Sequence, residues 1–487
     1  MRLKKRIKRR IALLLAMVCT MSVVGCGEQE PVAADPANAM AIPDYSDSDA
    51  RMDMYCYIGP SPGEYTNEAG EFVIIEDQRT VENFQKYKDC GFDTLMLMGN
   101  DKYTGEDFET SDLKRNLDMA QEVGLKVIVF DNRIYKMGEK TDSVIGEGKD
   151  FVSMDELVKW VKECMSPYMN HPAFYGISLR DEPWYYHLKS LSEVIQAIHT
   201  VDPEIFTHTV LHPYAYWGTA EMYTEKSFGE VTDDSYRQYV GTFLDWSGEK
   251  IINYDNYPFT WDGMLSSYYL NMQIAVNEAA KREASVTLSV QASNSNDLRD
   301  VEEDDLRFQG YSALGLGVKS FCYYTYQLFP SRAGSQTTQA IVSDDNTSIL
   351  YDDVQKVNAE LQELAKVMLH FDYEKAYFTY DKENSITAPT LFAGLENEEV
   401  DGAEIVSVTQ PTMLSQLKDS EKNLRGYMVM NSSDTAENLS NKVSVKFDGY
   451  DYATIYVKGV PETVGLTESV LTLTLEPGEG IFVIPHK

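Results

Sequence analysis

The sequence predicts an α/β protein in which a (β/α)8 (TIM) barrel, residues 51–372, is followed by an antiparallel β-sandwich domain, residues 373–487. In the first region, eight short apolar runs alternate with longer amphipathic stretches, so eight strand–helix units are expected. The runs are apolar throughout, as in parallel strands that helices cover from outside. Beyond residue 373, short runs of alternating polarity are separated by turn residues, which is typical of an antiparallel sandwich.

The strand–helix units follow one another regularly along the chain. The predicted barrel strands are MDMYCYIGP, DTLMLMGN, KVIVFDNR, AFYGISLRDEP, IFTHTVLHP, KIINYDNYPF, ASVTLSVQAS and KSFCYYTYQ. The first predicted helix places Val81, Phe84, Tyr87 and Cys90 on one face and ends at Gly91. A doubly wound sheet also accommodates eight strands, but it usually has a glycine-rich turn after its first strand, and YIGPSPGEY lacks that pattern.

Six further runs carry the period-2 pattern of the predicted sandwich. They are YEKAYFTY, EIVSVTQ, LRGYMVMNSS, KVSVKFDG, ATIYVKG and VLTLTLEPGEGIFVIP. Such alternation puts apolar side chains on one sheet face and polar ones on the other. We expect this domain to brace the barrel rather than to bind a ligand.

The N-terminal segment predicts export. Residues 1–25 combine a basic head, an apolar stretch and small residues, as in a secretory signal peptide. The segment VVGC resembles the lipobox of bacterial lipoproteins, which implies that Cys26 is lipidated and anchors an exported, extracytoplasmic protein to the bacterial cell membrane. A transmembrane anchor is the alternative, although the apolar run is short and interrupted. Residues 26–50, rich in Pro, Ala, Asp and Ser, predict a flexible tether.

Composition narrows the classes of partner and cofactor. The chain has 77 Asp and Glu against 43 Lys and Arg, so a nucleic-acid partner is not expected. Beyond Cys26, four scattered cysteines have no C-x-x-C spacing, which predicts buried free thiols rather than disulfides or zinc: Cys56, Cys90, Cys164 and Cys322. Neither a metal-binding motif nor a phosphate loop is present in the sequence, and no metal or cofactor is expected.

The candidate site residues follow the predicted barrel strands, because a (β/α)8 barrel carries its active site at the C-terminal ends of its strands. This ring is polar, carboxylate-bearing and aromatic: Tyr57, Asp131, Arg180, Asp181, Glu182, Trp184, His212, Trp217, Asp255, Tyr257, Gln291 and Tyr324. Aromatic rings beside carboxylates suit sugars, whose C–H faces stack on the rings while their hydroxyls form hydrogen bonds. The ring as a whole predicts a carbohydrate cleft, although each aromatic alone is equally compatible with loop packing.

The segment RDEP at the end of the fourth predicted strand resembles the large clan of (β/α)8 glycoside hydrolases. In that clan the general acid/base is a Glu at this place, typically preceded by Asn and often followed by Pro, which implies that Glu182 is the acid and that Asp181 replaces the Asn. NYDNYP after strand six and the aromatic strand eight are also similar. The alternative is that Asp181 or Glu182 only caps a helix beginning at Pro183.

One departure from the clan pattern leaves the second catalytic group open. The clan's nucleophile is a Glu at the end of strand seven, where this sequence has Gln291, and an amide cannot form the glycosyl-enzyme ester. Asp255 is the leading second carboxylate, as base for a water in an inverting reaction, and Asp131 is a weaker candidate. Asp181-Glu182 is also similar to the pair in hexosaminidases, where the Asp orients the substrate's own acetamido group.

Two functions therefore follow from the sequence. The first is a surface lipoprotein that hydrolyses O-glycosidic bonds of oligo- or polysaccharides by carboxylic acid/base chemistry. The second is a non-catalytic carbohydrate-binding lipoprotein on a degenerate barrel, which Gln291 favours. Fold alone does not choose between them, because barrels host many chemistries.

Overall fold

Eight parallel strands close into the barrel that the sequence predicts. The computed structural model describes residues 33–487 apart from 63, 67–71, 75, 98–102, 215–217, 226–229, 296, 329–336 and 384–387. The strands of the first region are β1 (Met54–Cys56), β2 (Glu64–Thr66), β3 (Phe72–Ile74), β4 (Thr94–Met96), β5 (Lys126–Val129), β6 (Phe174–Asp181), β7 (Phe206–Leu211), β8 (Ile251–Asp255), β9 (Phe259–Thr260), β10 (Gly263–Met264), β11 (Ser285–Gln291) and β12 (Ser320–Tyr324). The barrel order is β1-β12-β11-β8-β7-β6-β5-β4, and β1 pairs with β4 to close it.

Helices connect the barrel strands and surround them. They are α1 (Val81–Asp89), α2 (Asp112–Val123), α3 (Asn132–Gly138), α4 (Met154–Met165), α5 (Leu188–Val201), α6 (Ala220–Tyr223), α7 (Asp233–Ser247), α8 (Tyr268–Ala280), α9 (Glu303–Gly315), α10 (Tyr351–Met368) and, within the C-terminal domain, α11 (Ala388–Leu391). Several begin where a hydroxyl side chain accepts a bond from a first-turn N–H, as Thr80 does from Asn83 at 3.1 Å and Ser111 from Lys114 at 3.2 Å. Gly124 ends α2 with a φ of 74°, a conformation that glycine adopts without strain.

Three local elements escaped the sequence patterns. Helix α3 follows β5 at once, and hairpins β2–β3 and β9–β10 follow β1 and β8. Each element is short, so its few residues establish neither a helical nor an alternating period. All three lie in connections at the C-terminal ends of barrel strands, which we call the barrel mouth.

The C-terminal domain is the predicted antiparallel sandwich. Its strands are β13 (Asp372–Thr379), β14 (Ala403–Ser407), β15 (Thr412–Asp419), β16 (Leu424–Asn431), β17 (Asn441–Phe447), β18 (Tyr452–Val457), β19 (Val460–Gly465), β20 (Val470–Leu475) and β21 (Gly480–His486). A six-stranded sheet, β13-β15-β16-β21-β18-β19, packs its apolar face on the three-stranded sheet β14-β17-β20. The run VLTLTLEPGEGIFVIP is two strands, β20 and β21, and the sequence patterns missed β15 and β19.

Helix α9 joins the two domains. It contacts β11 of the barrel on one side and β15, β16 and β21 of the sandwich on the other. The helix is buried nearly all round, so its residues show no polar face in the sequence. The sandwich therefore packs directly on the barrel.

The described part of the predicted tether makes specific contacts with the C-terminal domain. Ala34 and Met40 donate backbone hydrogen bonds to Leu466 and Lys487. Tyr45 is buried, and its hydroxyl donates to Asp419 at 2.8 Å. Residues 34–50 thus gain their order from tertiary contacts that composition does not reveal; the signal peptide and Cys26 lie outside the described residues.

The four cysteines of the described region are buried and free, which confirms the prediction made from their spacing. Burial raises the pKa of each thiol, because the thiolate loses its hydration. Within the described residues, no helix combines the length and apolar character needed to cross a membrane.

Candidate active site

The backbone at the end of β6 is irregular, and this irregularity changes the direction of the side chains in the RDEP segment. The pairing register of β6 with β7 shifts between Ser178 and Arg180, as at a β-bulge. Glu182 continues the ladder by donating its N–H to Val210 at 2.8 Å, yet its φ is 44°, in the left-handed region that non-glycine residues rarely adopt. Strained backbone of this kind concentrates at functional sites.

Neither acid of this segment caps helix α5. The helix begins at Leu188, after a 3₁₀ turn at Tyr185–His187, and its N-cap is His187. The helix-cap alternative for Asp181 and Glu182 is therefore wrong. Neither carboxyl group caps a helix, so both can face the barrel mouth.

Three carboxyl groups meet at the mouth: Asp181, Glu182 and Asp255, which we call the carboxyl cluster. Asp255 ends β8 and is hydrogen-bonded to Glu182. Its Oδ1 is buried and accepts no hydrogen bond from the described residues. Burial and the charges of Glu182 and Asp181 hold the pKa of Asp255 well above its ordinary value.

Asp181 is an accessible member of the cluster, as is Glu182. Asp181 is exposed, yet neighbouring protein atoms partly desolvate its carboxyl. This partial desolvation and the neighbouring Glu182 raise the pKa of Asp181, while a hydrogen bond from the Tyr57 hydroxyl opposes the rise. Two carboxyls with raised pKa values in one site favour its protonated form, as in acid/base sites.

Three tyrosines form one side of the mouth, and we call them the tyrosine wall. Tyr324 lies between the other two, with ring centroids 5.9 Å from Tyr57 and 5.7 Å from Tyr257. Burial raises the pKa of both Tyr57 and Tyr257, so their hydroxyls stay protonated and can donate. The wall offers flat apolar faces next to the carboxyl cluster.

A buried histidine lies behind the acid. His212 Nδ1 is 3.4 Å from Glu182 Oε1, and neither ring nitrogen has a hydrogen-bond partner among the described residues. Its backbone is fixed by α7, since Tyr236 donates to its carbonyl at 3.1 Å. Its predicted place in the site is consistent with this geometry.

Arg180 does not pair with the carboxyl cluster. Its Nη1 bonds to Glu139 at 2.8 Å and lies 3.3 Å from the Tyr135 hydroxyl. Glu139 caps the short helix α3, which the sequence did not predict, so the pairing was not foreseeable. The Arg180 guanidinium therefore contacts Glu139 rather than Asp181 or Glu182.

Asp131 is sealed inside the structure rather than open to a substrate. It is fully buried at the N-cap of α3, where it accepts a 3.0 Å bond from the Arg133 backbone N–H and two more from the Arg133 guanidinium, at 3.0 Å and 2.6 Å. The Tyr168 hydroxyl adds a fourth at 2.9 Å. With its oxygens satisfied by protein, Asp131 has a structural role, which corrects its prediction as a substrate-binding or second catalytic residue.

Gln291 is also occupied by the protein. It is fully buried; its Oε1 accepts from the Phe259 N–H at 3.0 Å, and its Nε2 donates to the Phe259 carbonyl at 3.2 Å. Its amide therefore clamps the loop after β8. This corrects its prediction as a substrate-binding residue, and a carboxylate in its place would lack the required N–H.

Two predicted site residues remain, Trp184 and Trp217. Trp184 is half-buried, with its ring 5.6 Å from that of Tyr186. Trp217 lies outside the described residues.

Within the described parts of the chain, no three His, Cys, Asp or Glu side chains are grouped in a way that would hold a metal ion.

The fold and mouth define a (β/α)8 barrel with a carboxyl-and-tyrosine cleft. No family model and no curated protein matches the chain. Solved structures similar to it are glycoside hydrolases, among them an Anoxybacillus alpha-amylase, 11% identical over 91% of this chain and 99% of that one, with a TM-score of 0.49. A family 5 glycoside hydrolase from Bacteroides vulgatus ATCC 8482 is 11% identical over 85% of this chain and 86% of that one, with a TM-score of 0.45. The endo-beta-1,4-mannanase from Thermotoga petrophila is 11% identical over 89% of this chain and 99% of that one, with a TM-score of 0.38. The similarity is one of fold.

Proposed function

We propose that this protein hydrolyses O-glycosidic bonds of oligo- or polysaccharides, with Glu182 as the general acid. The observation that carries the proposal is the hydrogen-bonded contact between Glu182 and Asp255 beside Asp181, under the tyrosine wall. Burial and the neighbouring charges raise the pKa of Asp255, so this carboxyl tends to keep a proton beside Glu182. That proton is available for a leaving oxygen.

The two members of the contact have different roles. The Glu182 side chain is 42% exposed, so it can reach a sugar, whereas Asp255 Oδ1 is buried. Glu182 donates its proton to the glycosidic oxygen as the bond to the anomeric carbon breaks, and one sugar leaves as an alcohol. That proton comes from the pair of Glu182 and Asp255, and the water that adds to the anomeric carbon gives one proton back to the pair.

Asp181 is the carboxylate that we assign to the positive charge developing at the anomeric carbon. Glycosidase carboxyls stand about 5–5.5 Å apart for retention and about 6.5–9.5 Å for inversion. Asp255 interacts with Glu182, so we assign it to the proton of that pair rather than to the activation of a water. Asp181 is exposed and held by Tyr57, and it suits either direct charge stabilisation or orientation of a substrate acetamido group. Water completes the reaction by adding to that carbon.

The test compares turnover of a panel of aryl glycosides and soluble polysaccharides by the wild type and three variants. We expect Glu182→Gln and Asp255→Asn to lower kcat by about 10²–10⁴-fold, the usual contribution of a general acid. The matched control is Glu249→Gln, which removes a buried carboxyl at the opposite end of β8. It should retain wild-type turnover.

The outcomes separate the two functions. Turnover that survives Glu182→Gln would contradict the assignment of the acid. Polysaccharide binding by the wild type without any turnover would favour the carbohydrate-binding alternative.

We also propose that the protein is exported and lipid-anchored through Cys26, on the strength of its N-terminal sequence. Metabolic labelling with a fatty acid should mark the wild type and not Cys26→Ala. A wild-type protein that carries no label would contradict the proposal.

A further inference from the structure

A tryptophan stands out of the surface close in sequence to the carboxyl cluster. Trp261 is 61% exposed and lies at the tip of the hairpin Phe259–Met264, six residues after Asp255. Single exposed apolar side chains are common and need no explanation. The unusual feature here is how firmly the backbone beneath this ring is held.

The tip of the hairpin is fixed by the neighbouring loop after β11. The Trp261 indole N–H donates to the Ser295 carbonyl, and its backbone N–H to the Asp297 carbonyl, both at 3.4 Å. Thr260 forms a bridge with Leu298, and its hydroxyl donates to Gly263 at 2.7 Å. The ring is therefore pre-organised with a face open to solvent.

The base of the hairpin is clamped from below. Gln291 holds both the N–H and the carbonyl of Phe259, and the Arg299 guanidinium lies 4.6 Å from the Phe259 ring. Arg299 in turn forms two 2.7 Å bonds to the buried Asp305 and donates to Thr435 of the sandwich at 3.0 Å. The barrel and the sandwich thus jointly hold an exposed aromatic ring, an arrangement that a packing role does not require.

We propose that Trp261 is a stacking platform for a sugar ring of a neutral polysaccharide, at a position separate from the bond that is cut. The inference rests on the proposed function and adds its substrate class, a chain rather than a single sugar. Stacking suits Trp261, because its indole N–H is already occupied and its face is free. An anionic glycan is disfavoured, since the chain is strongly acidic and two arginines of the described residues, Arg180 and Arg299, are paired with Glu139 and Asp305.

The experiment uses the full chain and two kinds of substrate. Affinity electrophoresis in soluble xyloglucan, galactomannan, mixed-linkage β-glucan or starch measures chain binding, and 4-nitrophenyl monoglycosides measure turnover at the carboxyl cluster. For the polysaccharide that the wild type binds, Trp261→Ala should weaken binding about tenfold, the loss of one stacked ring. Trp261→Phe, which keeps a ring, should recover most of the affinity, and monoglycoside turnover should stay at the wild-type level in both variants.

The results that would contradict the Trp261 platform differ from those that would contradict the proposed function. Equal polysaccharide affinity in wild type and Trp261→Ala overturns the platform, as does a wild type that cleaves monoglycosides but binds no polysaccharide of the panel. A parallel loss of monoglycoside turnover in Trp261→Ala also overturns it, because the ring would then act at the reacting bond. Glu182→Gln, by contrast, should lower turnover strongly and keep polysaccharide binding. If this variant kept wild-type turnover, the result would contradict the assignment of Glu182 as general acid and would leave the Trp261 platform unaffected.

Discussion

We expect Glu249 to make the free energy of unfolding depend on pH, by an amount that follows from its pKa. It lies just before β8, is 8% exposed, and accepts a hydrogen bond from the Thr207 hydroxyl. Burial raises its pKa from 4.5 to about 7. His199 Nε2 is 3.7 Å away, but burial lowers the pKa of His199, so the imidazole is neutral at pH 7 and offers no compensating charge.

The sign of the effect follows from proton binding. The folded state binds this proton more tightly than the unfolded state, so the stabilisation is fully present below pH 4.5 and is lost as pH rises through about 7. The difference between the two pKa values corresponds to about 3 kcal/mol. Glu249→Gln has no proton to lose, and its free energy of unfolding should rise relative to the wild type by that amount between pH 4 and pH 8.

The assay is chemical denaturation of the wild type and the variant at several pH values across this range. Comparing the two at each pH removes the contributions of other titrating groups, which both proteins share. Glu122→Gln, an exposed substitution on α2, is the control and should show a constant difference. A difference for Glu249→Gln that does not change with pH would refute the reasoning.

Three further predictions concern residues around the mouth. Asp131→Asn should destabilise the fold by about 3 kcal/mol, as when one partner of a buried ion pair is removed, and thermal unfolding should show this while KM for an aryl glycoside stays unchanged. Tyr57→Phe removes a hydrogen bond that lowers the pKa of Asp181, so the acidic limb of the pH–rate profile should move to higher pH; an unmoved limb would exclude Asp181 from the reaction. Gln291→Glu should lower the unfolding temperature without any gain in turnover, because a carboxylate cannot donate to the Phe259 carbonyl; a faster enzyme would contradict this.

The sequence predicted the carboxyl cluster and the tyrosine wall because their residues end apolar strands. In a closed parallel barrel all strand ends meet at one mouth, so position along each strand is enough to bring Tyr57, Glu182 and Asp255 together. The same logic failed for Asp131 and Gln291. Asp131 and Gln291 also follow strands, but nearby hydrogen-bond donors occupy their side chains. The Arg133 guanidinium donates to Asp131, and the Phe259 backbone N–H donates to Gln291.

The sequence by itself determined the eight-unit barrel, the sandwich behind it and the set of polar strand ends, because apolar periodicity records which faces are buried. Only the tertiary structure decided which polar ends face the barrel mouth. That choice depends on short elements without a period, such as α3 and the Trp261 hairpin, and on contacts between residues distant in sequence, such as Asp255 with Glu182 and Arg180 with Glu139. The contact between carboxyls from two strands depends on their distance apart, and sequence spacing does not encode that distance.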